Sequence, residues 1–145
     1  MRFILDANVL SETAKPRPDR PYARWARGRA PADIVVSAMT FGEVRYGIEL
    51  LPHGPRRAAL EDRLGTLLQR DFRGRILLVN TEVALTWGRL VAAGQRHGRV
   101  LPPIDGILLA TAMVYDLVLV TRNERDLADR GVEIVNPWSN RADEE

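Results

Sequence analysis

Apolar residues fall into short continuous runs, separated by segments in which they recur at helical spacing. Phe3-Ile4-Leu5 reads as a buried strand that stops at the charge of Asp6. Val9-Leu10 then opens a turn of helix, which the prolines from Pro16 to Pro21 break. Residues 22–29 predict a short helix with Trp25 inward, Ile34-Val35-Val36 a β-branched strand, and 40–51 a helix stopped by Pro52-His53-Gly54-Pro55. Leu60, Leu64, Leu67 and Leu68 keep the i, i+4, i+7, i+8 spacing of a helix with one apolar face. Arg75-Ile76-Leu77-Leu78-Val79 predicts a third strand. Val83, Trp87, Leu90 and Val91 predict a helix that Gly98 ends. Pro102-Pro103 precede a helix over 105–115, Leu117-Val118-Leu119-Val120-Thr121 has the unbroken apolar run of a central parallel strand, and Val132-Glu133-Ile134-Val135 is the last strand.

Strands alternating with helices predict an α/β protein: a three-layer α/β/α sandwich around a mostly parallel sheet. One domain over 1–138 accounts for the pattern, with a polar tail at 139–145. Open sheets of this kind bind ligands beyond the carboxyl ends of their strands, so the polar residues directly after each strand carry the interest. The first strand ends in Asp6, with Asn8 two residues on. The second runs into Ser37, Thr40 and Glu43, and the strand over 117–121 runs into Thr121-Arg122-Asn123-Glu124-Arg125-Asp126. Asp105 opens the helix that feeds this last strand, which places it at the same edge.

Each of these residues also has a purely structural reading. Glu43 follows Thr40 at capping-box spacing, Asp105 suits a helix N-terminus through the dipole, and Asn123 with Asp126 fits a turn followed by a cap. Asp6 is harder to explain that way, because a charge directly after three buried apolar residues is costly unless paired or ligated. Convergence of four such positions from distant parts of the chain points to a shared acidic site.

Composition narrows the chemistry. The chain has no cysteine and two histidines, so thiolate and histidine-based metal sites are excluded, and a metal held here is a hard ion on carboxylates, Mg2+ with Mn2+ as a substitute. The N-terminus meets a charge too early for a secretory signal, and no stretch has the length of apolar chain that spans a bilayer, so the expected location is cytoplasmic. Lys15 is the only lysine; the remaining cations are arginines, crowded at 17–29 and again at 56–75. Arginine forks suit phosphate oxygens, which makes nucleic acid a reasonable ligand, although a solvated arginine-rich surface reads the same way.

Asp6-Ala7-Asn8-Val9-Leu10-Ser11, then Ser37 to Thr40 leading to Glu43-Val44-Arg45-Tyr46-Gly47-Ile48-Glu49, resemble the first two motifs of PIN-domain nucleases. Pro103-Ile104-Asp105 with Leu109-Ala110-Thr111-Ala112, and Thr121 to Asp126 followed by Asn136-Pro137-Trp138, resemble the third and last. The resemblance covers the whole chain and is strongest to VapC toxins of the FitB-like branch. It implies a PIN-like fold and a metal-dependent endoribonuclease, the toxic component of a type II toxin–antitoxin system. It further implies a homodimer, and a VapB/FitA-like antitoxin through which alone the complex meets promoter DNA.

Residue by residue, the resemblance implies that Asp6, Glu43 and Asp105 hold the metal. The fourth acidic role falls on Asp126 or on the neutral Asn123, and Asn8 and Thr121 support the ligands. Arg45 and Arg122 are candidate phosphate contacts. Two positions depart from the family pattern: Leu127 replaces the usual phenylalanine, and Gly106 stands where alanine is common. Rival readings are weaker. An aspartyl-phosphate phosphatase wants an acid at position 8 and a later lysine, and finds Asn8 and a lone Lys15. A non-catalytic PIN-like module acting with a DNA-binding partner would show a lost carboxylate, and Asp6, Glu43 and Asp105 are all present.

Overall fold

The computed structural model describes residues 1–139 of the chain. Five strands, β1 (Phe3–Leu5), β2 (Ile34–Ser37), β3 (Ile76–Leu77), β4 (Val118–Val120) and β5 (Ile134–Val135), form one sheet in the order β3-β2-β1-β4-β5. Every neighbouring pair is parallel, with Ile4 opposite Val35 on one side and Leu119 on the other. The expected sandwich is therefore present, and its sheet is parallel throughout.

Side chains alternate between two apolar layers, as the period of a strand demands. Phe3, Leu5, Val36, Val118 and Val120 face one core, closed by α1 (Ala7–Thr13), α2 (Arg20–Arg27), α3 (Ala38–Glu49) and α4 (Pro55–Thr66). Ile4, Val35 and Leu119 face the other, closed by α6 (Pro103–Val114) with α5 (Thr81–Arg96) outside it and Leu127 of α7 (Glu124–Leu127) at the edge. Ile4, Leu5, Leu119 and Val120 are wholly buried; each contributes about 1.5–3 kcal/mol of burial, which is why these short strands hold.

Three elements differ from expectation. The third strand pairs only over Ile76–Leu77, leaving Leu78 70% exposed, because β3 is an edge strand and nothing covers its far side. The helix through Leu64 widens after Thr66 into a π-type turn, Leu67–Asp71. The segment after Asn123, expected as a turn and cap, is the short helix α7. The expected tail lies, from residue 140 on, outside the described residues. No described helix is long and apolar enough to cross a membrane.

Candidate active site

The strand order reverses direction between β1 and β4, which opens a crevice beyond their carboxyl ends. Asp6 ends β1 in that crevice. It is also the N-cap of α1, its Oδ1 accepting from the Ala7 amide at 2.7 Å, and its side chain is almost fully buried. Oδ2 accepts from the Thr121 hydroxyl, at 2.7 Å, directly after β4. Thr121 Oγ1 in turn accepts from the Asn123 amide at 3.0 Å, so the hydroxyl hydrogen is committed to Asp6. Asn8 receives the Arg122 amide across the same gap, at 3.5 Å. Thr121 and Asn8 thus orient the Asp6 corner, while Asn123 contributes through its backbone.

Glu43 comes from α3. Ser37, not Thr40, caps that helix, accepting from the Met39 amide at 3.1 Å, so the capping-box reading of Thr40 and Glu43 fails: Thr40 is already inside the helix. Glu43 stands a turn further on, half-buried, with its pKa pushed up to about 7 by burial and then by the charges of Asp6 and Asp105. Asp105 lies in the first turn of α6. Burial, Asp6 and Asp126 all raise its pKa, and the Arg130 guanidinium pulls it back. Asp6, Glu43 and Asp105 therefore share one electrostatic field, with Asp126 on the Asp105 side.

Among the described residues no three such groups already converge as a finished metal shell. The acids repel one another across the crevice without closing on a single point. Their chemistry nevertheless suits a hard divalent cation: all donors are oxygens, Asp6 is buried with no cationic partner among the described residues, and the mutual repulsion leaves positive charge to be supplied.

Both candidate phosphate contacts are occupied within the fold. Arg45 pairs with Glu49 at 2.6 Å and Glu61 at 3.2 Å. Arg122 pairs with Asp19 at 2.8 Å and lies 3.8 Å over the Trp138 ring. Tyr22 stacks on that ring at 6.0 Å, Trp25 is in the core, and Trp87 donates to the Pro103 carbonyl, so the tryptophans pack rather than offer open faces. Trp87 also explains Gly106: a Cβ there would sit 3.0 Å from the Trp87 ring. Leu127 fills its position with no exposure.

Two features escaped the sequence reading. Glu12 is buried in α1 and holds the 14–19 loop, accepting from Lys15 and from the Asp19 amide; the i, i+3 spacing to the only lysine was its one signal. Arg99 and Arg130 lock two connections beside the acids. Arg130 donates to the backbone carbonyls of Asp126 and Arg99, and both Arg99 Nη atoms donate to Ala128 O. Below Glu43, α1, α3 and α4 enclose a largely apolar groove that includes Ile48, Leu60 and Leu64.

Comparison with known proteins follows the same geometry. The sequence pattern described as the PIN domain matches residues 3–132. The VapC ribonuclease Y4jK of Sinorhizobium fredii is 31% identical over 94% of this chain and 97% of its own length. The toxin FitB of Neisseria gonorrhoeae is 32% identical over 94% and 98%. The solved structure of FitAB bound to an IR36 DNA fragment superposes with a TM-score of 0.84 and 30% identity, covering 94% of this chain and 96% of that one.

Proposed function

This chain belongs to the PIN domain family, and from that premise we propose that it is the ribonuclease toxin of a toxin–antitoxin pair, hydrolysing RNA phosphodiester bonds with Mg2+. The observation that carries the reading is the shared field of Asp6, Glu43 and Asp105 at the β1/β4 crevice. A fold gains nothing in stability from three carboxylates that raise each other's pKa; a site for a divalent ion needs them.

Asp6 and Asp105 are the proposed principal ligands, with Asp126 within reach of the same charge. A magnesium ion bound there would acidify water and offset the charge that builds on the phosphate. Asp6 contributes a fixed carboxylate, because the Ala7 amide and the Thr121 hydroxyl each hold one of its oxygens. Glu43, half-buried beside Asp6 and Asp105, is placed to orient an attacking water and accept its proton. Mn2+, with the same preference for oxygen, would substitute.

The FitAB–DNA complex and the FitB and VapC relatives support the toxin–antitoxin pairing; the proposal further holds that the chain is a cytoplasmic homodimer, neutralised by a small FitA-like antitoxin that supplies the DNA contact. The purified chain should cleave RNA with Mg2+ or Mn2+ and stop with chelator. Asp6→Ala, prepared identically, should be inactive; equal residual activity in that variant would show a contaminating nuclease and overturn the assignment.

A further inference from the structure

Of the two arginine-rich segments, the second uses Arg57, Arg70 and Arg75 within the fold. In the second, Arg57 pairs with Glu49 and Glu61, Arg70 with Asp71, and Arg75 donates to the carbonyls of Pro31, Ile34 and Asp71. Those guanidiniums hold the fold. The first segment is different. Arg20 and Arg27 stand seven residues apart on one face of α2, and both are exposed, as is Arg17 just before it. No carboxylate pairs with Arg17, Arg20 or Arg27 among the described residues, and α2 contains no acid of its own. The acids nearest its start are committed: Glu12 to Lys15, Asp19 to Arg122.

The direction of α2 ties this face to the active site. Asp19, its N-cap, meets Arg122, the residue after Thr121, and Thr121 holds Asp6. Past its other end, the Arg29 guanidinium lies 5.2 Å over the ring of Phe3, the first residue of β1. The helix therefore starts at the carboxyl edge and runs back along β1, carrying its arginines about 10 Å away from the crevice. Tyr22 and Trp25 are turned into the core, and α2 exposes no large apolar side chain. Apolar and aromatic side chains make up the buried centre of a protein interface, and this face exposes none. A row of guanidiniums without such an anchor suits a polyanion.

We propose that the outer face of α2, with Arg17, is the track for the RNA strand flanking the cleavage point. This rests on the ribonuclease reading and adds where the substrate runs. The track contacts phosphates, so it sets affinity and salt dependence, not base preference.

The test compares wild type with the combined Arg17→Gln, Arg20→Gln, Arg27→Gln variant, and with a control losing equal charge elsewhere on the surface: Arg2→Gln, Arg73→Gln, Arg96→Gln. For a long single-stranded RNA the track variant should show a KM raised about tenfold at unchanged kcat, and a salt slope reduced by about 0.7 per lost contact. A short oligonucleotide that reaches only the crevice should be cleaved alike by all three proteins. The same substitutions in an Asp6→Ala background, titrated with labelled RNA, read binding without cleavage. Loss of binding there with no cleavage by wild type would keep the track and discard the nuclease. Equal weakening by the control, equal loss on short and long RNA, or unchanged RNA binding would each overturn the track.

Discussion

Glu43 keeps its proton into the neutral range because burial, Asp6 and Asp105 all disfavour its charge. Between its ordinary value of 4.5 and about 7, the folded chain binds more protons than the unfolded one, so this group's contribution to stability falls as pH rises through that window and then levels off. Glu43→Gln removes the charge and keeps the shape. At about pH 8 the metal-free variant should be more stable by about 1 kcal/mol, discounted because the site is half open to solvent, or about 3 °C in Tm. Near pH 4 the two proteins should melt together, and the variant should cleave no RNA; a variant less stable at pH 8 would show that the repulsion is already relieved in wild type. Gly106 has its own requirement. A methyl group there meets the Trp87 ring at 3.0 Å and Val91 at 3.3 Å, so Gly106→Ala should cost about 1–3 kcal/mol by overpacking, measurable by denaturant unfolding. Trp87→Leu would relieve it.

At the scale of elements, the acids were legible because a strand end is a strong local signal. An unbroken apolar run that stops at Asp6 or Thr121 marks both the strand and the group at its carboxyl edge, and the helix leading into β4 places Asp105 at the same end. What could not be read depended on neighbours distant in sequence. Leu78 and Val79 look like strand, yet β3 pairs only on its β2 side. Arg57, Arg70 and Arg75 look like the arginines of 17–29 until the carboxylates and carbonyls that hold them are seen. The Arg99–Arg130 lock was equally hidden. Gly94 belongs to it: a Cβ there would come within 2.5 Å of the Arg99 carbonyl, so α5 and the connection to α6 can meet only at glycine. Arg130 ties α7 to that connection and places a positive charge within the field of Asp105 and Asp126. Arg130→Met should therefore move the acid limb of the pH profile upward and, above that limb, lower the Mg2+ concentration for half-maximal activity. Lysine at that position should restore both. If the only change is a lower Tm, the arginine is structural.

The whole molecule shows why the acids are spread as they are. Asp6 comes from the sheet itself, Glu43 from α3 in one helical layer, and Asp105 and Asp126 from α6 and α7 in the other. Sequence alone predicted a mostly parallel sheet but not the β3-β2-β1-β4-β5 order, which brings the β1 and β4 ends side by side and makes the crevice the meeting point of all three layers. A divalent ion held there would draw its carboxylates from all three layers rather than from one. Binding to the folded chain alone, at a hundred times Kd, adds about 2.7 kcal/mol, which for a domain this size raises Tm by roughly 8 °C. It should also abolish the loss of stability between about pH 5 and 7, since the cation supplies the charge whose lack keeps Glu43 protonated. Hydrogen exchange should slow in α3 and α6 together on adding Mg2+. Protection confined to one layer, or a melting temperature indifferent to millimolar Mg2+ and Mn2+, would mean that the carboxylates do not share an ion.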